Sequence, residues 1–246
     1  KFNFRVDDDE ESISSAPSFD DPSVSVPDVN QSREAKKHEY PMKVENSPPA
    51  ITGETVITMG DVVIKKMCFS PILYAAQSDQ DDQGPSKFAE QVNQTDLATG
   101  EYEGGFKLWE CGMDLTEYLD EIGKEDSYFH GKVVAELGCG HAIPSLYCLL
   151  RGSAEIAFQD YNYEVLEQLT SPAIEENMQT LTGKLPNVEL FSGDWSLLPG
   201  VMEGDKYDII LSSDTLYCPA NHTHFLNLIQ HLLKPNGIAF VYDRMM

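Results

Sequence analysis

The hydrophobic pattern divides the chain near residue 100. From Val6 to about Ala50, Ser, Pro, Asp, Glu and Lys dominate; Asp7-Asp8-Asp9-Glu10-Glu11 is an acidic run, and Pro17, Pro22, Pro27, Pro41, Pro48 and Pro49 punctuate the rest. Such a segment buries too little apolar surface to offset its chain entropy, so residues 1–50 are expected to be disordered. Residues 51–100 read as an N-terminal extension, with short strands at Thr55–Thr58 and Asp61–Ile64 and a polar loop at Gln77–Gln83. From Glu101 the periodic signals become dense. Leu115, Tyr118, Leu119 and Ile122 recur at helical spacing and stop at Gly123. Val133–Leu137, Ile156–Gln159, Val188–Phe191, Tyr207–Leu211 and Ile238–Tyr242 are apolar runs of strand length. Between them Ile143–Leu150, Tyr163–Leu169, Ala173–Leu181 and Phe225–Leu233 read as helices. Pro172 is expected to break the middle pair, and Lys234-Pro235-Asn236-Gly237 to close the last helix. Five alternations of strand and helix predict an α/β domain over 101–246, a parallel sheet wound on both faces by helices. Ligands of such sheets sit at the carboxyl ends of the strands, near the reversal in strand order.

Composition excludes several classes. The 246 residues carry a net charge of −24, which argues against a protein that coats nucleic acid and against a polybasic membrane-surface protein. No apolar run approaches the roughly 18–20 residues of a membrane span. The start, Lys1-Phe2-Asn3-Phe4-Arg5, has neither an apolar signal region nor an initiator Met, so a fragment or trimmed chain is expected. The five cysteines, Cys68, Cys111, Cys139, Cys148 and Cys218, form no CxxC and suit a reducing compartment.

Five motifs carry chemistry. In Val133–Ala142 a strand runs through Gly138-Cys139-Gly140 into a helix, where glycines admit a ligand close to the backbone and the helix start offers free N–H groups. Ile143 stands where the dinucleotide fingerprint needs glycine, which disfavours a nicotinamide site. Asp160, in Phe158-Gln159-Asp160-Tyr161-Asn162, ends the next strand 22 residues after Gly138, a place from which a carboxylate accepts both ribose hydroxyls of a nucleoside. Asp194 and Trp195, after the third strand, suit an adenine amine and its apolar wall. Asp214 and Tyr217 leave the fourth strand where an acceptor nucleophile would sit. Tyr102–Cys111, with Glu103-Gly104-Gly105 and Trp109, precedes the first strand. The histidines around the last helix, His222, His224 and His231, read as surface residues, with no metal site expected; His141 reads as solvent-facing at a helix start.

In this order the pieces resemble the protein-histidine methyltransferases of the methyltransferase-like protein 18 type, within the seven-β-strand S-adenosylmethionine-dependent methyltransferases. Phe158-Gln159-Asp160-Tyr161-Asn162 is the most specific piece, and the resemblance covers Phe2-Asn3-Phe4 and about Ile51 to Tyr242. It implies a Rossmann-like class I methyltransferase fold, S-adenosyl-L-methionine as cofactor, and methyl transfer to the tele nitrogen of a histidine in the third large-subunit ribosomal protein. Cofactor contacts carried over residue by residue fall on Trp109, Glu110, Cys111, Glu136, Gly138, Cys139, Gly140, Gln159, Asp160, Tyr161, Gly193, Asp194, Trp195 and Ser213. Two departures stand out. Ala142 occupies a position where such turns usually carry glycine, and the chain stops at Met246, before the two further strands that the fold needs. A C-terminally truncated domain is therefore expected, with an open sheet edge at Ile238–Tyr242.

Asp214 is the expected catalytic carboxylate, holding the acceptor ring's second N–H and stabilising its developing charge, with Tyr217 as its partner. A lysine methyltransferase of the same fold and a non-catalytic binding module are the alternatives. Residues 101–246 hold 23 acids and 8 bases, with Glu101, Glu103, Glu110, Asp114, Glu117, Asp120, Glu121, Glu125 and Asp126 gathered before the first strand. That surface suits a basic protein substrate such as a ribosomal protein, with no direct nucleic-acid or membrane partner. A monomer in cytoplasm and nucleus is expected.

Overall fold

Side chains alternate between two cores along every central strand, and that alternation organises the molecule. The computed structural model describes residues 33–42, 49–78, 87–124 and 127–244. In chain order these form β1 (Lys36–His38), β2 (Ile51–Met59), β3 (Val62–Phe69), α1 (Pro71–Ser78), α2 (Lys87–Gln94), α3 (Glu110–Ile122), β4 (Val133–Leu137), α4 (Ile143–Leu150), β5 (Glu155–Asp160), α5 (Tyr163–Val165), α6 (Ser171–Met178), β6 (Asn187–Ser192), β7 (Tyr207–Ser213), α7 (His222–Leu232) and β8 (Leu233–Tyr242). The main sheet has the order β1-β6-β5-β4-β7-β8. Strands β4 to β8 are parallel, and β1 pairs antiparallel with β6.

Val134, Ile156, Phe158, Leu190, Ile209 and Leu211 face one core, shared with α3, α4, α5 and α6. Ala135, Leu137, Ala157, Phe191 and Ile210 face the other, against Phe225, Leu228, Ile229 and Leu232 of α7. Helices thus cover both faces, as the right-handed crossover rule requires when strands are added first on one side of β4 and then on the other. The order reverses at β4, which leaves a crevice at its carboxyl end.

The N-terminal segments depart from expectation. Lys36–His38 lies within the stretch read as disordered, yet it forms an edge strand in register with Leu190–Ser192. Backbone pairing to a ready sheet edge, with the Lys37–Glu189 ion pair, compensates for its polar composition. The remainder of that stretch, residues 1–32 and 43–48, lies outside the described residues, as do Asp79–Gln83 of the expected loop; Gln77 belongs to α1. Strands β2 and β3 form a hairpin longer than expected, and its apolar face (Met59, Val62, Ile64, Met67) joins the first core. Asn177 of α6 locks it in place: its amide accepts the Lys65 N–H at 2.9 Å and donates to the Lys65 carbonyl at 2.7 Å.

Pro172 does not break its helix. A wider π turn over Leu166–Thr170 joins α5 to α6, and the Ser171 N–H bonds to the Leu166 carbonyl five residues back. Widening the turn just before the proline accommodates a ring that cannot donate. Strand β8 starts at Leu233 without an intervening turn; Lys234–Gly237 are taken up where the register against β7 shifts between Tyr207 and Ile209. Among the described residues β8 is an edge strand, with Ile238, Val241 and Tyr242 exposed.

Candidate functional site

A cleft of about 910 Å³, open to solvent, lies at the carboxyl ends of the central strands beneath the loop that precedes α3. Close backbone approach forms its floor. Gly138 (φ +70°) leaves no room for a side chain, since a Cβ would meet the Thr215 methyl at 2.6 Å. Gly140 (φ +46°) faces the Gly105 carbonyl, which a Cβ would approach to 2.9 Å. Ala142 adopts φ 57°, the left-handed conformation that disfavours any side chain by about 1–2 kcal/mol and explains why glycine is usual there.

Buried carboxyls brace this floor. Glu136 on β4 accepts the N–H and hydroxyl of Ser145 in the first turn of α4, the N–H at 3.0 Å. Burial pushes its pKa up to about 8. Asp160 ends β5 and divides its oxygens, one accepting the Gly140 N–H at 3.0 Å and the other the Asn162 N–H at 2.9 Å. Burial raises it to about 6, with Glu103 and Glu164 pushing the same way.

The loop after β7 forms the opposite wall. Asp214 has φ 52°, and its carboxylate accepts the Cys111 N–H at 2.8 Å, so it caps the first turn of α3 from across the cleft. The Tyr217 hydroxyl donates to Glu103, whose other oxygen accepts the Gly100 N–H at 2.6 Å. Burial, reinforced by Glu103, drives the Tyr217 pKa upward. Asp243, just past β8, accepts the N–H groups of Thr215 (2.8 Å) and Leu216 (2.6 Å) and so sets the loop that presses Thr215 against Gly138. Glu103 stands in the Tyr102–Cys111 motif and among the acidic residues before the first strand, but no sequence signal points to its bond with Tyr217; Asp243 carries no local signal.

Of the expected site residues, Trp109, Glu136, Gly138, Cys139, Gly140, Asp160, Tyr161, Asp194, Trp195, Ser213, Asp214 and Tyr217 line the cleft together. Four do not. Glu110 is exposed and ion-pairs with Arg244. Cys111 is buried, and burial with the neighbouring Asp214 pushes its thiol up to about 12. Gln159 is fully buried: its carbonyl oxygen accepts from Gly138 N–H (3.2 Å) and Trp195 Nε1 (3.0 Å), and its amide donates to the Gly193 carbonyl (3.1 Å). It holds the two turns rather than a ligand. Gly193 lies under the N-terminal strand, where a Cβ would meet the Glu34 carbonyl at 2.5 Å. Asp194 lines the cleft but accepts from its own turn, at the Ser196 N–H (2.8 Å) and hydroxyl (2.6 Å). His141 is buried rather than solvent-facing; its Nε2 bonds the Phe106 carbonyl at 3.0 Å, and burial lowers it to about 4, so the ring is neutral.

A parallel sheet with a strand–glycine turn–helix at its reversal, a carboxylate ending the adjacent strand, and an aromatic-lined cleft make a Rossmann-like fold that takes a nucleoside at its switch point, and the class I methyltransferase fold is of this kind. The glycine cradle and the acidic groups around it fit a nucleoside bearing hydroxyls and positive charge, and S-adenosylmethionine is the expected cofactor. A family model described as "Lysine methyltransferase" matches residues 91–245, and the chain belongs to that family. It is 43% identical over 153 residues to the histidine protein methyltransferase 1 homolog of Dictyostelium discoideum, covering 62% of this chain and 47% of that protein. Its identity to the Bos taurus protein of the same description is 36% over 167 residues, 58% of this chain and 44% of the other. The chain thus spans about half the length of the curated relatives it matches. Among solved structures, an S-adenosyl-L-methionine-dependent methyltransferase from Methanococcus maripaludis aligns with a TM-score of 0.43 and 14% identity over 55% of this chain and 57% of that one.

Proposed function

We propose that this chain is the cofactor-binding part of a protein-histidine methyltransferase of the methyltransferase-like protein 18 type, acting at the tele nitrogen of a histidine in a large-subunit ribosomal protein. The observation that carries the acceptor is the 43% identity over 153 residues to a relative named as a histidine protein methyltransferase. Bound S-adenosylmethionine supplies a methyl group on a sulfonium, open to in-line displacement. A neutral imidazole is already nucleophilic near pH 7, so the protein's tasks are alignment and exclusion of water. Asp214 keeps one oxygen on the Cys111 N–H; we assign its other oxygen to the ring N–H, which fixes the tautomer and stabilises the charge that develops. The Glu103–Tyr217 pair forms the neighbouring wall against which the ring is placed. Asp214→Asn is expected to lower turnover at saturating cofactor by about tenfold; unchanged turnover would remove Asp214 from this role.

The substrate is proposed to be basic. The net charge is −24, and α3, which starts at the loop over the cleft, exposes Glu110, Glu117 and Glu121 along its length. Such a surface steers a cationic partner, and the association should weaken with added salt. Work as a monomer in cytoplasm and nucleus belongs to the same proposal. The family description favours one second reading, a lysine acceptor. Incubation with labelled cofactor and a ribosomal-protein extract, followed by amino-acid analysis, separates the two. Methylhistidine is the expected product. Methyllysine transfers the chain to the second reading, and cofactor binding without transfer makes it a binding module.

A further inference from the structure

The segment leading into β1 passes behind the cleft wall, and its Arg33 bonds both to residues at the ends of β5 and β6 and to the loop that precedes α3. On the sheet side its carbonyl accepts the Asp194 N–H at 3.1 Å, its N–H donates to the Tyr161 hydroxyl at 3.4 Å, and its guanidinium pairs with Glu164 at 2.6 Å. On the loop side the guanidinium donates to the Glu101 carbonyl at 3.3 Å and lies 5.1 Å from the centre of the Phe88 ring. Tyr161, whose ring centre is 5.8 Å from the same guanidinium, donates in turn to the Gly100 carbonyl at 3.0 Å.

We infer that Arg33 is a positioning residue for cofactor binding, clasping the 100–106 loop onto the ends of β5 and β6 at the nucleoside end of the cleft. The inference rests on the cofactor reading above. The electrostatic reason is plain. The loop brings Glu101 and Glu103, the strand ends bring Asp160, Glu164 and Asp194, and like charges across a narrow seam push it open. Arg33 places a cation in that seam, with a planar fork that engages a carboxylate and a carbonyl at once. Its side chain and that of Glu164 are 30% and 23% exposed, so the pair is partly shielded from screening by water. Asn162, which donates to the same Glu101 carbonyl at 2.8 Å and accepts the Glu103 N–H at 2.9 Å, holds the loop without Arg33. Loss of the clasp therefore loosens the rim and leaves the reacting end in place.

Arg33→Ala is expected to raise the Kd for S-adenosylmethionine by about five- to tenfold, with kcat at saturating cofactor within about twofold of the original. Glu164→Gln, which keeps every backbone contact, should reproduce part of the rise. Arg33→Lys should fall between, because lysine keeps the charge but not the fork. Both tryptophans of the chain, Trp109 and Trp195, line the cleft, so their emission follows binding directly in the intact chain. Unchanged Kd in Arg33→Ala and Glu164→Gln, with the unaltered chain binding, overturns this inference alone. A fall in kcat equal to the loss of affinity also overturns it, since that marks general loosening of the fold. Absence of binding by the unaltered chain overturns the cofactor reading and this inference together.

Discussion

Replacing Asp160 with alanine is expected to weaken S-adenosylmethionine binding by about 100-fold. Two hydrogen bonds from ribose hydroxyls to a carboxylate, at roughly 1.5 kcal/mol each, account for that factor. The same carboxylate fixes the Gly140 and Asn162 N–H groups, so the cradle itself also relaxes in the alanine variant. Asp160→Asn retains one acceptor oxygen and should lose about tenfold. The pH dependence separates a ligand role from a purely structural one. Burial sets the Asp160 pKa at about 6, and the ionised form is the better acceptor. Affinity should therefore fall as pH drops through 6, by up to the roughly tenfold that the asparagine variant loses, in addition to the contribution of Glu136, and Asp160→Asn should remove that component. Calorimetric titration at pH 7.5 and pH 5.5 measures both effects. An alanine variant that binds within about threefold of the unaltered chain would remove Asp160 from the nucleoside site.

The sheet and its glycine turn were legible because each rests on local pattern. Val133–Leu137 followed by Gly138-Cys139-Gly140 encodes a strand and a turn in eight residues, and Asp160 follows from spacing along one crossover. What eluded the sequence depends on partners far along the chain. Lys36-Lys37-His38 becomes a strand only because the β6 edge is there to receive it. Pro172 stays in its helix because the preceding turn widens. Within a single motif, the face from which a side chain leaves decides its role. Gln159 and Asp160 are adjacent, yet Gln159 points into the scaffold behind the turns while Asp160 lines the cleft. Cys111 contributes its backbone N–H to Asp214 and keeps its thiol buried. Asp243 fixes the Thr215–Leu216 backbone from 28 and 27 residues away, a separation no motif spans.

Glu136→Gln is expected to make the protein's stability less dependent on pH between about 5 and 8, and to abolish a proton release that accompanies cofactor binding. In the folded chain burial raises Glu136 from 4.5 to about 8, so the native state holds a proton there that the unfolded chain has already lost. Stability from this site is thus fully present below pH 4.5 and declines as pH rises toward 8, the reverse of a salt-bridged carboxylate. At roughly 1.4 kcal/mol per unit, the decline amounts to a few kcal/mol. Glutamine keeps an acceptor for the Ser145 N–H and carries no charge at any pH, so Tm of the variant relative to the original should rise from pH 5.5 to pH 8.5. Parallel Tm curves would contradict the assignment. The functional consequence follows from charge. Glu136 lines the cleft, and a cationic cofactor bound there favours its ionised form. Uptake near pH 7 should therefore expel close to one proton, seen as a binding enthalpy that changes with the ionisation enthalpy of the buffer. Glu136→Gln should bind with the same enthalpy in every buffer at that pH. A buffer dependence that survives the substitution would place the released proton on another group, Asp160 first.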